Sequence, residues 1–179
     1  MSTQHWVFAY GSLIWDPGFP VAEQALARLD GYARKFCLRS VEHRGTPDQP
    51  GLVLGLDPDA RHWCDGLALR VAQADWPQTL ADLRARELVT DAYSEAELPL
   101  RLRDGRQVRA IAYVMRTDHW QYAGDLDMAE QARIIAAAHG GRGPNCDYLF
   151  NTAMHLAEIG LPDPALDDLA ARVRALLAG

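Results

Sequence analysis

The sequence predicts an α+β fold, with strands in the first half of the chain and helices in the last third. Apolar runs bounded by Gly and Pro predict strands at residues 5–9, 31–40, 52–56, 66–71 and 108–115. Apolar residues at helical spacing predict one helix between these strands and three more near the end of the chain. Strands followed by helices, rather than alternating with them, are typical of the α+β class. We find no repeat, low-complexity segment or linker, so a single domain over residues 1–179 is expected.

Capping residues indicate where the helices begin and end. Asp75 is expected to cap a helix that runs to about residue 88, and Asp127 one that runs to about residue 138. Gly140 is expected to help close that second helix. The last two helices are expected over 145–159 and 164–177. Each has an apolar stripe, which consists of Leu149, Thr152, Leu156 and Ile159 in one helix and Leu166, Leu169, Val173 and Leu176 in the other.

Composition and charge exclude several classes of protein. Hydrophobic residues make up 49% of the 179 residues and charged residues 23%, as in ordinary globular proteins, and the net charge is −6. An acidic chain argues against nucleic-acid binding, which requires a basic surface. The first residues do not resemble a signal peptide, and no run approaches the ~20 apolar residues of a membrane span. We therefore expect neither nucleic acid nor a membrane as a partner.

The cysteines and histidines predict neither a disulfide framework nor a metal site. Cys37, Cys64 and Cys146 are odd in number, widely spaced and without a CxxC pair. The histidines form neither an HxH nor an HExxH motif. Reduced thiols are typical of cytosolic proteins, so we expect a cytoplasmic location and no bound metal.

Glu87 is the first candidate for a catalytic residue. Leu80, Leu83 and Glu87 are spaced by three and then four residues, which places the carboxylate on the apolar face of the predicted helix. Partial burial would raise its pKa towards the range that suits proton transfer at neutral pH. The alternative is a structural glutamate at the edge of this face, paired with Arg84 or Arg86.

Three further regions could bind a ligand. Tyr10-Gly11-Ser12 ends the first predicted strand, and consecutive N–H groups in such a turn can bind a carboxylate; the alternative is a plain turn. Arg44 could hold a carboxylate through two parallel hydrogen bonds, orient this turn or lie in a solvated loop. Tyr148 begins a predicted helix, where its phenol could reach a ligand or pack in the core.

Six short motifs resemble, in order, those of the ChaC family of γ-glutamylcyclotransferases. They are VFAYGSLIW at 7–15, HRGTP at 43–47, PGLVLGL at 50–56, RE at 86–87 followed by Tyr93, YAG at 122–124 and GPNCDYL at 143–149. The chain departs from the family at two places. Ala9 stands where many members have Gly, and 88–92 (LVTDA) stand where some have two glycines after the glutamate.

The resemblance implies a fold, an activity and a set of site residues. The fold would be a γ-glutamylcyclotransferase-like small mixed β-barrel surrounded by helices. The activity would be the cyclisation of the γ-glutamyl group of glutathione to 5-oxoproline with release of Cys-Gly, a lyase reaction that needs no cofactor or metal. Glu87 would be the catalytic residue. The substrate-binding residues would be Phe8, Ala9, Tyr10, Gly11, Ser12, Leu13, Arg44 and Tyr148.

Three alternatives stay open at this point. The same cyclisation could act on other γ-glutamyl amino acids or on γ-glutamyl amines. The chain could instead bind γ-glutamyl compounds without turning them over, because a fold alone does not secure an activity. The third alternative is a thiol enzyme that uses Cys37, although no activating partner is predicted near it. The sequence predicts no oligomeric state.

Overall fold

The structure, a computed structural model, describes residues 4–179 and confirms the α+β class. The strands are β1 His5–Ala9, β2 Glu23–Ser40, β3 Gly51–Val71, β4 Tyr93–Leu102, β5 Gln107–Met115, β6 His139–Gly140 and β7 Gly143–Pro144. The helices are α1 Trp76–Glu87, α2 Met128–Ala137, α3 Asn145–Glu158 and α4 Pro164–Ala178, and a 3-10 helix spans Ser12–Ile14. No helix in the described part of the chain is long and apolar enough to cross a membrane.

Strands β1 to β5 form a small closed barrel in the order β1-β3-β2-β4-β5. β1 runs antiparallel to β3, and closes the barrel by running parallel to β5, with Val7 opposite Ile111. β4 is antiparallel to both β2 and β5. The predicted small mixed barrel is therefore confirmed, and closure leaves these strands without the exposed edges of an open sheet.

Several strand predictions were incomplete. The strand predicted at 31–40 begins at Glu23, and those predicted at 52–56 and 66–71 belong to one strand, β3. β4 was not predicted, because Pro99 and the glutamates of this segment are unfavourable in strands. β4 nevertheless pairs with β5 throughout, with Pro99 opposite Arg109.

The chain divides into two compact units. The first runs to Arg34 and resumes from Leu56 to His119, and the second comprises Lys35–Gly55 and Trp120–Gly179. The first therefore contains β1, α1, β4 and β5, with the adjoining lengths of β2 and β3. The second contains helices α2 to α4. The expectation of a single domain over residues 1–179 stays a prediction.

In the first unit, β1 and α1 both carry buried residues. Val7, Phe8 and Ala9 are fully buried in β1. A Cβ at position 66 would clash with the Ala9 carbonyl oxygen and the Phe8 ring, so Gly66 allows β3 to lie close to β1. Leu83 is buried on α1. The end of β1 and the last turns of α1 therefore both contribute buried residues to the first unit.

The predicted helix boundaries agree with the structure, except in detail at their caps. Asp127 caps α2 as predicted, because its side chain accepts a hydrogen bond from the Glu130 N–H and Glu130 returns one to the Asp127 N–H. Asp75 precedes α1, but its side chain makes no capping bond to the described residues. Its backbone is already helical there, whereas a capping residue needs an extended backbone.

The second unit is built from the apolar stripes of α3 and α4 together with α2. Leu149, Thr152 and Leu156 of α3 are buried as predicted, whereas Ile159 is half-buried just beyond its end. Leu166, Leu169 and Val173 of α4 are also buried. Leu176, the last residue of the predicted stripe, is 49% exposed, because it lies in the last turn of α4. After α2 the chain enters the short strands β6 and β7, which were not predicted.

Candidate active site

Glu87 is the last residue of α1, and its side chain is only 16% exposed. Leu83, one turn earlier, is buried, and Leu80 is half-buried. The predicted apolar face of α1 is therefore confirmed. Desolvation by burial raises the pKa of the Glu87 carboxyl, while the positive charge of Arg86 opposes the rise. A carboxyl with a raised pKa can accept and return a proton near neutral pH, which is the property expected of a general base.

The turn that follows β1 lies in the same unit. Tyr10, Gly11 and Leu13 are buried, and Ser12 begins the short 3-10 helix. The Gly11 carbonyl accepts from the Ile14 N–H at 2.9 Å, and the Ser12 carbonyl accepts from the Asp16 N–H at 2.9 Å. Within residues 4–179, no described hydrogen bond is donated by the N–H groups of Gly11 or Ser12. Such consecutive donors suit a carboxylate ligand.

Two arginines hold this turn, and sequence analysis gave neither of them that role. Arg34 of β2 donates from Nε to the Tyr10 carbonyl at 2.7 Å and from Nη2 to the Asp65 carbonyl. Arg86 donates from Nη2 to Ser12 Oγ at 2.9 Å and from Nη1 to the Asp16 carbonyl at 2.8 Å. Long-range contacts of this kind leave no periodic signal in the sequence.

Arg86 also approaches the candidate base, since its Nε lies 3.3 Å from Glu87 Oε1. The expected alternative, a glutamate paired with a neighbouring arginine, is therefore present in part. Pairing and burial coexist here, and burial has the larger effect on the Glu87 pKa. Arg84, the other candidate partner, instead forms two hydrogen bonds with Glu95, at 2.7 and 2.8 Å.

The departures from the family motifs have simple structural consequences. Ala9 lies in β1 opposite Leu67, and its φ is not positive, so alanine fits without strain. In the 88–92 segment, Asp91 has φ of +58°, a backbone region in which glycine is favoured over other residues. Its carboxylate accepts from Arg116 Nη1 at 2.6 Å. Aspartate is one of the few residues other than glycine that tolerate this region, so the turn after Glu87 forms here without glycine.

In the second unit, Arg44 binds main-chain carbonyl oxygens. Its Nη1 donates to the carbonyl of Arg142 at 3.0 Å and to that of Pro144 at 3.2 Å. Its guanidinium lies 5.8 Å from the centre of the Tyr148 ring. A Cβ at Gly45 would clash with the backbone of Gly51, which explains the glycine of the HRGTP motif. Sequence analysis did not predict these contacts of Arg44 with the main chain around β7.

Tyr148 and Asn145 anchor α3 to β3 within the second unit. The Tyr148 hydroxyl accepts from the Leu54 N–H at 3.3 Å, and its ring packs edge-on against Phe36. Asn145 is fully buried, accepts from the Leu52 N–H at 2.8 Å and donates to the Leu52 carbonyl at 2.8 Å. Sequence analysis quoted Asn145 as part of a motif and assigned it no role.

In the first unit, Arg86 thus contacts both Glu87 and Ser12 of the turn after β1. The structure places Arg44 beside Tyr148 in the second unit. Phe8 and Ala9 are fully buried in β1, immediately before this turn. Within residues 4–179, no group of His, Cys, Asp or Glu side chains could hold a metal ion.

Comparison with known proteins agrees with the motifs. The model of the ChaC-like protein family matches residues 5–176. The glutathione-specific γ-glutamylcyclotransferase of Escherichia coli K12 is 39% identical over 97% of this chain and 74% of its own length. γ-Glutamylcyclotransferase 2-3 of Arabidopsis thaliana is 35% identical over 97% of this chain and 90% of its own.

Comparison with solved structures shows that the fold is also shared. The crystal structure of a yeast γ-glutamylcyclotransferase specific to glutathione superimposes with a TM-score of 0.87, at 23% identity, over 97% of each chain. A structure called γ-glutamyl cyclotransferase superimposes less closely, with a TM-score of 0.61 at 18% identity. The resemblance predicted from six motifs is confirmed over nearly the whole chain: this protein belongs to the ChaC-like family.

Proposed function

We propose that this protein is a glutathione-specific γ-glutamylcyclotransferase, a lyase that converts glutathione to 5-oxoproline and Cys-Gly. Its relatives with this name cover nearly the full chain, which supports the substrate as well as the reaction. One observation in the structure carries the proposal: the half-buried carboxylate of Glu87, with its raised pKa, shares Arg86 with the turn after β1.

The proposed reaction needs no protein nucleophile. The α-amine of the γ-glutamyl group attacks its own γ-carbonyl carbon, and the bond from that carbon to the cysteine nitrogen breaks. A five-membered ring and a free dipeptide result, and together they contain all the atoms of glutathione. Well-placed intramolecular partners react with effective molarities of about 10⁵ M or more, so holding a bent substrate supplies much of the rate.

Glu87 is the proposed carrier of the proton. It takes a proton from the α-ammonium group, which frees the lone pair for attack, and returns a proton to the departing cysteine nitrogen. One carboxylate can serve both steps if its pKa lies near the working pH, because it must be ionised to accept the first proton and protonated to donate the second. Burial raises the pKa of Glu87 towards that range. Its burial beside Leu83 also limits competition from water.

The turn after β1 is the proposed site for the α-carboxylate of the substrate. The N–H groups of Gly11 and Ser12 would donate to it, while Arg34 holds the Tyr10 carbonyl. Phe8, Ala9 and Leu13 are proposed to shape this turn from the core. Arg44 and Tyr148 stay proposed substrate-binding residues on the basis of the family motifs.

Product analysis tests the reaction. Purified protein is incubated with millimolar glutathione in water enriched in ¹⁸O, and the products are quantified by mass spectrometry. We expect equal amounts of 5-oxoproline and Cys-Gly, neither of them labelled, because cyclisation consumes no water. Labelled glutamate would identify a hydrolase and contradict the proposal.

The substrate and the alternatives are tested in parallel. Turnover of γ-Glu-Ala or of a γ-glutamyl amine above that of glutathione would favour the wider substrate range. Glutathione binding without product would favour the silent binding protein. Cys37 is fully buried, which argues against a thiol enzyme, and unchanged turnover of Cys37→Ala would exclude it.

A further inference from the structure

Arg86 contacts three groups of the candidate active site at once. Its Nη1 donates to the Asp16 carbonyl at 2.8 Å, its Nη2 donates to Ser12 Oγ at 2.9 Å, and its Nε lies 3.3 Å from Glu87 Oε1. The Arg86 side chain is 30% exposed, so these contacts are partly shielded from water. The three contacts join the first residue of the short 3-10 helix, a residue two positions after its end and the last residue of α1.

We infer that Arg86 is a positioning residue of the proposed reaction, which fixes the Glu87 carboxylate relative to the substrate-binding turn. The inference rests on the proposed function, since it assigns Arg86 to the site where Glu87 would move protons. It also assigns a role to the arginine of the RE motif, which sequence analysis treated only as an ion-pair partner.

The geometry requires an arginine rather than any cation. A guanidinium is planar and carries five N–H donors in a fixed arrangement, so Nε, Nη1 and Nη2 can each bind a different acceptor. The ammonium group of lysine is a single point charge on a flexible stem. A lysine at position 86 could keep a charge near Glu87 but could not also hold Ser12 and Asp16 in the same arrangement.

The charges around Glu87 make Arg86 the group that opposes its desolvation. On α1, Arg84 is hydrogen-bonded to Glu95. Among the described residues, only the positive charge of Arg86 lowers the pKa of Glu87. From β5, Tyr113 faces this region. Burial and, to a lesser extent, the nearby charge of Glu95 raise the pKa of Tyr113, so it stays neutral at physiological pH, and Glu87 adds to that rise.

The first test is the pH dependence of kcat/KM for Arg86→Gln. Glu87 must be ionised to accept a proton, so removing the adjacent cation should move the acid limb of the profile to higher pH. An opposite charge at this distance typically shifts a carboxyl pKa by at least about one unit, so a shift of ~1 pH unit is expected. Arg86→Lys should restore the acid limb towards its original pH while kcat stays reduced, because the turn is no longer held.

Arg84→Gln is the matched control, since it removes the same charge from the same helix two residues earlier. It should leave the acid limb in place. Ser12→Ala removes one Arg86 contact but no charge, and should lower kcat without a shift in pH dependence. If Arg86→Gln shows the original acid limb and kcat, or if Arg84→Gln shifts the limb equally, the inference is wrong.

An NMR titration of the protein without substrate tests this inference independently of the proposed function. The Glu87 carboxyl carbon is titrated by NMR in ¹³C-labelled protein, with Glu87→Gln to assign its signal. A higher Glu87 pKa in Arg86→Gln supports the electrostatic coupling even if glutathione is not the substrate. An unchanged pKa in a protein that still cleaves glutathione would overturn the inference and leave the proposed function standing.

Discussion

Replacing Asn145 by alanine should strongly destabilise the protein. Asn145 is fully buried and makes a reciprocal pair of 2.8 Å hydrogen bonds with the main chain of Leu52, itself fully buried. Alanine would leave one N–H and one carbonyl group without their partner, and each unsatisfied buried group costs about 1–3 kcal/mol. We therefore expect a loss of about 2–6 kcal/mol, with a central value of ~4 kcal/mol. For a chain of this length, that loss lowers Tm by about 8–16 °C.

Urea denaturation followed by circular dichroism measures this loss directly. Asn151→Ala is the matched control, since Asn151 is exposed on the same helix, and it should change stability by no more than about 0.5 kcal/mol. Asn145→Asp keeps an acceptor for the Leu52 N–H but removes the donor to its carbonyl, and should destabilise further as the pH rises and the aspartate ionises. A loss below about 1 kcal/mol for Asn145→Ala would refute this reasoning.

Two further stability predictions concern a cap and the candidate base. Asp127→Ala removes the capping box of α2 and should cost about 1 kcal/mol, measurable as a Tm about 2–4 °C lower, whereas Asp125→Ala outside the helix should have little effect. Glu87→Gln should stabilise the protein at pH 8 by on the order of 1 kcal/mol, because glutamine places no charge at this desolvated position. Because the folded pKa of Glu87 is raised, wild type loses stability as pH rises above the ordinary glutamate range, and glutamine does not. An advantage that is equal at pH 4 and pH 8 would contradict this sign.

The barrel could be predicted from sequence only in part. β1 and β5 were predicted almost to the residue because their apolar runs are buried in the core. The middle of β3, around residues 58–63, is largely exposed and polar, so no hydrophobic pattern links its two apolar ends. In β4, strand pairing overrides the poor propensity of Pro99.

The candidate site, like the barrel, could be predicted from sequence only in part. The burial of Glu87 follows from local helical periodicity, so the spacing of Leu80, Leu83 and Glu87 was sufficient to predict it. The contacts of Arg86 with Ser12 and of Asn145 with Leu52 join residues 74 and 93 positions apart, and depend on the folded backbone. The motif resemblance included these segments, but it assigned no role to Arg86 or to Asn145.

The turnover of Glu87→Gln with glutathione tests the central claim most directly. Initial rates of 5-oxoproline and Cys-Gly formation are compared with those of wild type, and glutathione binding is measured by calorimetry on both proteins. Proton transfer by a positioned carboxylate contributes at least about 100-fold, so kcat should fall by ~100-fold or more while glutathione still binds. Near-normal turnover of Glu87→Gln would contradict the assignment of Glu87 as the group that moves the proton.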